Sequence, residues 1–389
     1  MSDEVFADWR GRNLDDVLGL CCELVDEADY SAVTRWRERG GKVVGHFQVY
    51  FPEELAHAAG LLPVKILGAP IEAMQGESRF GSYLCSILKT SLELHLSGRL
   101  DLDAFVSHPI CDAARNLAAV WSRNAAYPCQ ILYLPQNANS AHSLDYLQAE
   151  YERLLGDLES IAGVEVSEDD LVRSIQLFDR NRELLRRLYA VKRDTPWQIA
   201  AEEAYSLVAL AGRIPREEHN ELLTWVLDEL PSRGARPRDR IRVVFEGGFC
   251  EQPPLDLVRL IGRSCYLVDD DLLIGLRWIT SDVGGNGTAP VRALAEAYLE
   301  RSSYSPVQHD LRKPKEKMLL ERIDTARADA AILAAAKMCE PGLEEQVAYT
   351  RALDDADIPF FVTEFQESMS SFEHLELQLE TFAENLLFD

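Results

Sequence analysis

The stretch KVVGHFQVYFPEELAHAAGLLPVKILGA, residues 42–69, decides the fold class. Its two ends are apolar runs that contain several β-branched residues, which is typical of buried strands. The segment between them, PEELAHAAG, begins with Pro52 and ends with Gly60, as expected of a short helix. A strand, a helix and a second strand in this order predict a βαβ unit and therefore a parallel sheet.

The same alternation extends through most of the chain. Two further strands, LDAFVS and CQILYLP, are predicted before residue 142, and four more follow residue 240: IRVVFEG, CYLVDD, AAILAAA and PFFVTEF. Residues between the two groups carry helical apolar spacing, with Ser167 and Asp170 placed as a capping box. We predict an α/β protein with two parallel-sheet lobes of the Rossmann or flavodoxin type. The sections are an N-terminal helical segment (1–40), a first lobe (41–142), a helical section (143–235) and a second lobe (236–389).

Composition restricts the classes of partner. The 389 residues include 65 acidic and 40 basic side chains, and a formal charge of −25 disfavours nucleic acid and anionic membranes. The N-terminus lacks the apolar core of a signal peptide, and no run approaches the roughly 18 apolar residues of a membrane span. We therefore predict a cytoplasmic protein whose eight cysteines are thiols or metal ligands. No CxxC pair and no GxxxxGK[ST] loop occurs, so zinc-ribbon sites and ATP hydrolysis by this chain are not expected.

Four cysteines are candidates for a common site. Cys111 in HPICDAARN, Cys250 in EGGFCEQPP and Cys339 in AAAKMCEPG each follow a predicted strand, and Cys85 is placed on a predicted helix. Sites in open parallel sheets lie beyond the carboxyl ends of the strands, so these thiols can converge in the cleft between the lobes. The other four cysteines are predicted to be buried packing residues. They are Cys21, Cys22, Cys129 and Cys265.

The position of Cys111 suggests a reactive thiol. It precedes a predicted helix that Asp112 is expected to cap, and the N–H groups of a helix N-terminus lower the pKa of a thiol. The alternative is a small, half-buried residue at a turn. Scattered thiolates suit a [4Fe–4S] cluster better than a closed zinc site. If three thiolates bind it, one iron stays open to water or substrate.

Five motifs resemble the 2-hydroxyacyl-CoA dehydratase and benzoyl-CoA reductase family. They run in order from about residue 40 to the end: FPEELAHAAGLLPVKILG, SHPICDAARN, VDDDLLIGLR, ADAAILAAAKMCEPG and ALDDADIPFFVTEF. The resemblance implies that Cys85, Cys111 and Cys339 bind a [4Fe–4S] cluster in the cleft, with Cys250 as a candidate fourth ligand. The cluster either keeps an open iron or is shared with a homologous partner subunit. The final helix, QLETFAENL, lacks the Thr-Arg pair common in dehydratases, which favours a reductase.

The resemblance also implies a reaction. Substrate-reducing subunits of the family pair with a homologous cluster-bearing subunit and receive low-potential electrons from separate ATP-hydrolysing subunits supplied by ferredoxin. The implied reaction is the two-electron reduction of benzoyl-CoA to a cyclohexadiene-1-carbonyl-CoA in anaerobic aromatic degradation. Three alternatives stay open: a 2-hydroxyacyl-CoA dehydratase subunit, a non-catalytic electron-relay subunit, and an α/β protein that carries thiols but no metal.

Two further groups are candidates for roles in this reaction. His108, three residues before Cys111, is a candidate proton donor, with a polar loop residue as the alternative. The basic run RKPKEK supplies Arg312, Lys313 and Lys315 as candidate contacts for the phosphates of coenzyme A. The alternative is a solvated surface. The aspartates of VDDD, residues 269–271, end a predicted strand and are candidates for capping or for function.

Overall fold

The computed structural model describes residues 9–47, 49–81, 83–284, 289–304 and 310–388, and its strands form two four-stranded sheets. The first sheet contains β1 (Val43–Phe47), β2 (Leu62–Ile66), β3 (Ala104–Ser107) and β4 (Cys129–Ile131). The second contains β5 (Ile241–Glu246), β6 (Cys265–Asp270), β7 (Ala330–Ala336) and β8 (Phe360–Phe365). Every neighbouring pair of strands is parallel. The predicted fold class, with two parallel-sheet lobes, is confirmed.

Both sheets have the same strand order. It is β2-β1-β3-β4 in the first lobe and β6-β5-β7-β8 in the second. Successive strands are therefore added on one side of β1 and then on the other, so the strand order reverses between β1 and β3. The same reversal occurs between β5 and β7 in the second sheet. Ligand sites of doubly wound sheets lie beyond the carboxyl ends of the strands at this point.

The helices divide into four groups along the chain. The N-terminal helices are α1 (Leu14–Asp26) and α2 (Ser31–Glu38). Those of the first lobe are α3 (Glu53–Ala58), α4 (Met74–Glu77), α5 (Ser86–Leu96) and α6 (Asp112–Asn124). The central ones are α7 (Ser143–Ala162), α8 (Glu168–Asp194), α9 (Ala201–Leu210) and α10 (Arg216–Glu229). Those of the second lobe are α11 (Leu255–Ser264), α12 (Pro290–Arg301), α13 (Lys315–Ala326), α14 (Glu340–Asp355) and α15 (Glu373–Phe388). The predicted boundaries of the four sections stay a prediction.

Two helix starts differ from the sequence prediction. Cys85 was expected on a helix, but α5 begins one residue later and Cys85 is its N-cap residue. Asp112 was expected to cap α6, but it is the first helical residue, because Cys111 has the extended backbone of an N-cap (φ −143°, ψ 175°). The capping box at the start of α8 is confirmed: Ser167 and Asp170 exchange hydrogen bonds of 3.2 and 3.0 Å.

Apolar side chains cover both faces of each sheet. On β5, Val243 and Phe245 pack into the core that contains α9 and α11, and Val244 faces the core of α13 and α14. The central helix α8 spans roughly 40 Å. Its first half packs in the core on one face of the first sheet, and its second half packs in the core of the second lobe. The helical section therefore joins the two lobes through shared cores.

Among the described residues, none of the helices combines the length and the apolar character needed to cross a bilayer.

Candidate functional site

Three of the four candidate cysteines are N-cap residues of helices. Cys85 precedes α5, Cys111 precedes α6 and Cys339 precedes α14, and none of their side chains makes a capping hydrogen bond. Met338, directly before Cys339, has the left-handed value φ +61°, a conformation that few non-glycine residues adopt. Helix N-termini leave backbone N–H groups without partners, and these groups favour negative charge. The fold therefore presents three thiols where a thiolate is best tolerated.

Cys250 is placed by a glycine turn after β5. Gly247 has φ +126°, and a Cβ atom there would overlap the carbonyl oxygen of Ala334. Both carboxylate oxygens of Asp271 accept hydrogen bonds from this turn, from Gly247 N at 3.0 Å and Gly248 N at 2.9 Å. The turn holds Cys250 beside the apolar core of the first lobe, which also contacts Cys85.

The four thiols are close enough to repel one another as thiolates. Burial, then the charges of Cys250 and Cys339, raise the pKa of Cys85. Burial, Cys339 and Cys111 raise the pKa of Cys250, and burial raises that of Cys339 to about 11. Lys65 is a cation near Cys250; its Nζ donates to the carbonyl of Val49 at 2.9 Å, and burial lowers its own pKa to about 8. These thiols therefore stay protonated unless further positive charge enters the site.

Of the two interpretations of Cys111, the structure favours the half-buried residue at a turn for the protein alone. The N–H groups of Ala113 and Ala114 do lower the pKa of this thiol, but burial outweighs them and raises it. The helix N-terminus favours the thiolate without forming it. A bound cation is needed to remove the proton.

Cysteine thiolates are the donor type that holds iron–sulfur clusters, and the site brings four thiols together. Within the residues that the structure describes, no three His, Cys, Asp or Glu side chains are grouped closely enough to hold one metal ion. The ligands of a [4Fe–4S] cluster bind different irons and are therefore held farther apart. The four thiols are half-buried, so the site is neither sealed nor open to bulk water. Cluster binding by Cys85, Cys111, Cys339 and Cys250 stays a prediction.

A carboxyl pair that the sequence analysis missed connects the two lobes beside these thiols. Glu251 accepts a hydrogen bond from Ile87 N at 3.3 Å, in the first turn of α5, and another from Glu367 N at 3.2 Å. Glu367 in turn accepts hydrogen bonds from Ser86, at 3.1 Å, and Thr90. Burial raises the pKa of Glu251 to about 7, and burial with the charge of Glu251 raises that of Glu367 to about 8. Only the three-dimensional structure brings these groups together, because they lie 116 residues apart.

His108 is buried near the end of β3. Its Nδ1 is 3.0 Å from the carbonyl oxygen of Leu132, so Nδ1 carries the hydrogen and donates it. Burial lowers the pKa of the imidazole to about 4, and the ring is therefore neutral at pH 7. This environment favours the alternative of a polar residue in a loop, and a proton-donating role for His108 stays a prediction.

The candidate coenzyme A contacts all have polar partners within the chain. Arg312 pairs with Glu300 at 2.7 Å, the Nζ of Lys313 donates to Ser302 at 2.6 Å, and Lys315 pairs with Glu345. Binding of phosphate by this run stays a prediction, and it would require exchange of these partners.

The three aspartates at the end of β6 have structural partners. Asp269 pairs with Arg322 at 3.3 Å, and Asp270 pairs with Lys192. Asp271 binds the glycine turn described above.

The remaining cysteines mostly match their predicted burial. Cys21, Cys22 and Cys265 are buried, as predicted. Cys129 is only half-buried, because it begins the strand at the edge of the first sheet.

Comparison with known proteins supports the family resemblance inferred from the motifs. Residues 48–386 match the family model described as "2-hydroxyglutaryl-CoA dehydratase, D-component". The chain is 32% identical to one of the benzoyl-CoA reductase subunits of Thauera aromatica, over 95% of this chain and 98% of that protein. It is 28% identical to lactoyl-CoA dehydratase subunit beta of Anaerotignum propionicum, over 92% and 94%. It is 23% identical to (R)-2-hydroxyglutaryl-CoA dehydratase subunit beta of Acidaminococcus fermentans, over 93% and 97%.

The matches cover nearly the whole chain and confirm the resemblance seen in the motifs. The family match runs from residue 48, directly after β1, into α15 and includes all four candidate cysteines. The chain belongs to the 2-hydroxyglutaryl-CoA dehydratase D-component family, whose members include subunits of acyl-CoA dehydratases and of benzoyl-CoA reductase.

Proposed function

We propose that this chain is the iron–sulfur subunit of the substrate-reducing half of a benzoyl-CoA reductase. The observation that carries the proposal is the placement of Cys111, Cys250 and Cys339 after β3, β5 and β7, next to the point where strand order reverses in each sheet. The identity of 32% to a benzoyl-CoA reductase subunit over 95% of the chain supports this substrate over a hydroxyacyl-CoA.

Cys85, Cys111 and Cys339 would hold a [4Fe–4S] cluster, with Cys250 as the fourth ligand or as a neighbour of an open iron. When bound, the cluster supplies single electrons at low potential. The overall reaction consumes two electrons and two protons per benzoyl-CoA and yields a cyclohexadiene-1-carbonyl-CoA. The apolar residues around Cys85 and Cys250 would limit the entry of water, which protects a reactive intermediate from side reactions.

The chain would depend on other subunits. Its sequence contains no GxxxxGK[ST] loop, so ATP hydrolysis and electron delivery from ferredoxin would occur on separate electron-activating subunits. The relatives named above are designated as subunits, which supports a homologous cluster-bearing partner that shares the substrate site or the cluster. We expect the complex in the cytoplasm.

A dehydratase subunit is the second candidate. The family model and the 28% identity to a lactoyl-CoA dehydratase subunit over 92% of the chain favour it. In that reaction an electron is recycled, whereas ring reduction consumes electrons in pairs. A non-catalytic electron relay is the third candidate, and it requires a cluster that is fully ligated by all four cysteines.

Electron consumption distinguishes the three candidates. The complex of this chain with its partner and activating subunits is incubated anaerobically with ATP, a measured amount of reductant, and either benzoyl-CoA or lactoyl-CoA. The proposal predicts two electrons consumed per cyclohexadiene-1-carbonyl-CoA formed, and no turnover with Cys111→Ala. Loss of water from lactoyl-CoA with far less than one electron per turnover would establish a dehydratase. Reduction of the cluster without conversion of either substrate would establish a relay.

A further inference from the structure

A cavity of about 570 Å³ lies at the amino ends of the strands of the second sheet, whereas the thiols lie at the carboxyl ends. Its wall includes the first residues of β6, the C-terminus of α11 and the segment that precedes β5. Because β6 has six residues, its two ends are roughly 16–20 Å apart. The cavity is therefore a separate site at the amino ends of the strands, whereas Cys250 and Cys339 follow carboxyl ends.

The wall of this cavity is strongly basic in a chain of net charge −25. Among the described residues, six arginines and one lysine line it, against the single carboxylate of Glu202. The basic residues are Lys192, Arg233, Arg236, Arg238, Arg240, Arg259 and Arg263. A cluster of this density on an acidic protein keeps anionic ligands from being repelled and creates a local attraction for them.

Internal ion pairs neutralise only part of this charge. Arg233 pairs with Glu203 at 2.7 Å, Arg259 with Asp256 at 2.8 Å and Arg263 with Glu376 at 3.1 Å. Lys192 is likewise paired, with Asp270. These groups contribute little net positive potential to the cavity.

Three guanidinium groups of the cavity have no carboxylate partner within the described part of the chain. Arg240 donates to the neutral carbonyl of Gly262 at 2.6 Å, while Arg236 and Arg238 are exposed and have no side-chain partner within the described part of the chain. Guanidinium groups bind phosphate oxygens in a bidentate manner, more strongly than neutral donors do. Three of them along one short segment fit a ligand with more than one phosphate.

The segment that carries these arginines is held in place before any ligand binds. The hydroxyl of Tyr266 accepts a hydrogen bond of 2.6 Å from Arg238 N, and the ring of Tyr266 packs 5.7 Å from the guanidinium of Arg240. Pro237, which lies between Arg236 and Arg238, restricts the backbone further. Trp197 also lines the cavity and offers an aromatic surface. A preorganised site loses less entropy when a ligand binds.

We propose that this cavity binds a nucleoside diphosphate group, either as a free nucleotide or as the nucleotide end of coenzyme A. The volume lies within the range of small-molecule sites. The uncompensated arginines would bind the diphosphate, and Trp197 would pack against the base. This inference is independent of the reaction proposed for the thiol site.

Calorimetric titration of the full chain with ADP, coenzyme A and inorganic pyrophosphate tests the proposal. All three ligands should bind, and affinity should fall as salt concentration rises. The double variant Arg236→Gln/Arg238→Gln should lower the affinity for each ligand by at least about tenfold. The matched control is Arg115→Gln/Arg173→Gln, which removes two exposed arginines of α6 and α8 that do not line the cavity and should leave affinity unchanged. Tighter binding of ADP than of coenzyme A identifies the free nucleotide as the ligand, and the reverse order identifies coenzyme A.

Fluorescence supplies a second measurement that does not depend on the arginine variants. Bound ADP or coenzyme A should quench part of the tryptophan emission, and Trp197→Phe should abolish that quenching while binding persists. The proposal is overturned if none of the three ligands binds at millimolar concentration, or if the cavity variants and the control variants bind equally well.

Discussion

At the scale of single residues, the site is built from thiols whose charge is suppressed and from carboxyls whose protons are retained. Burial raises the pKa of Cys111 and of Cys250, and it raises the pKa of Glu367 to about 8. These groups are expected to be neutral or partly neutral at pH 7 in the protein without bound cations. Binding of a cluster would then release protons from the thiols, which couples assembly to pH.

Glu367 should make stability fall as pH rises through neutrality. Its pKa in the folded protein, about 8, lies above its ordinary value of 4.5, so the folded state binds more protons between those values. The stabilisation is complete below about pH 4.5 and is lost as pH approaches 8. Glu367→Gln removes this titration, and the free energy of unfolding of the variant relative to wild type should therefore rise by about 2–3 kcal/mol from pH 5 to pH 8.

Thermal unfolding midpoints at several pH values measure this difference. Glu344→Gln, on an exposed position of α14, is the control and should follow the wild-type curve. Parallel curves for wild type and Glu367→Gln would show that Glu367 is ionised throughout and would contradict the prediction.

The sequence pattern identified the candidate site cysteines but not the groups that surround them. Position after a strand singled out Cys111, Cys250 and Cys339, because strand ends are visible in the hydrophobic pattern. Glu251 and Glu367 carried no such signal, since their pairing and burial arise only when the loops after β5 and β8 meet α5. The choice between a thiolate and a half-buried thiol at Cys111 could not be made from the sequence, because burial cannot be estimated from a helix start alone.

At the scale of elements, the two lobes are in close contact where the short helix Ile274–Arg277 meets the end of β1. A Cβ atom on Gly275 would overlap the carbonyl oxygen of Val49 and lie 2.8 Å from Nζ of Lys65. Val49 and Lys65 belong to the first lobe, and Lys65 influences Cys250 of the second. This contact therefore helps to fix the distance between the cysteines of the two lobes.

Gly275→Ala should destabilise the protein by about 1–3 kcal/mol, since neither the backbone carbonyl nor the buried lysine can move freely. Gly156→Ala is the matched control, because Gly156 is exposed within α7 and has open space around it. Alanine has a higher helix propensity than glycine, so Gly156→Ala should be more stable than wild type by up to about 1 kcal/mol. Unfolding midpoints in denaturant measure both changes. Equal midpoints for the two variants would show that the contact between the lobes accommodates a methyl group at Gly275 without loss of stability, which would contradict the prediction.

Element types were predictable where the hydrophobic pattern was strong. All eight strands were predicted, because short apolar runs between turn residues are characteristic of buried parallel strands. Helix starts were less predictable. Asp112 is a common N-cap residue, yet the extended backbone of Cys111 places the cap one residue earlier.

At the scale of the whole molecule, no sequence pattern shows how the lobes are oriented. Their arrangement depends on α8, which packs in the cores of both lobes, and on the hydrogen bonds of Glu251 to the first turn of α5. This orientation brings Cys85 of the first lobe near Cys250 and Cys339 of the second. The basic cavity has a similar origin, since Lys192, the segment 233–240 and the end of α11 line a common wall only after folding.

The content of iron and acid-labile sulfide tests the central claim most directly. The chain is purified anaerobically with its partner subunit, and native protein is compared with Cys111→Ala and with Cys129→Ala, which alters a half-buried thiol outside the site. The account predicts about four irons and four sulfides per chain in the native protein and in Cys129→Ala. Cys111→Ala should lose most of both. Native protein without iron, or Cys111→Ala with the full content, would contradict the assignment of these thiols as cluster ligands.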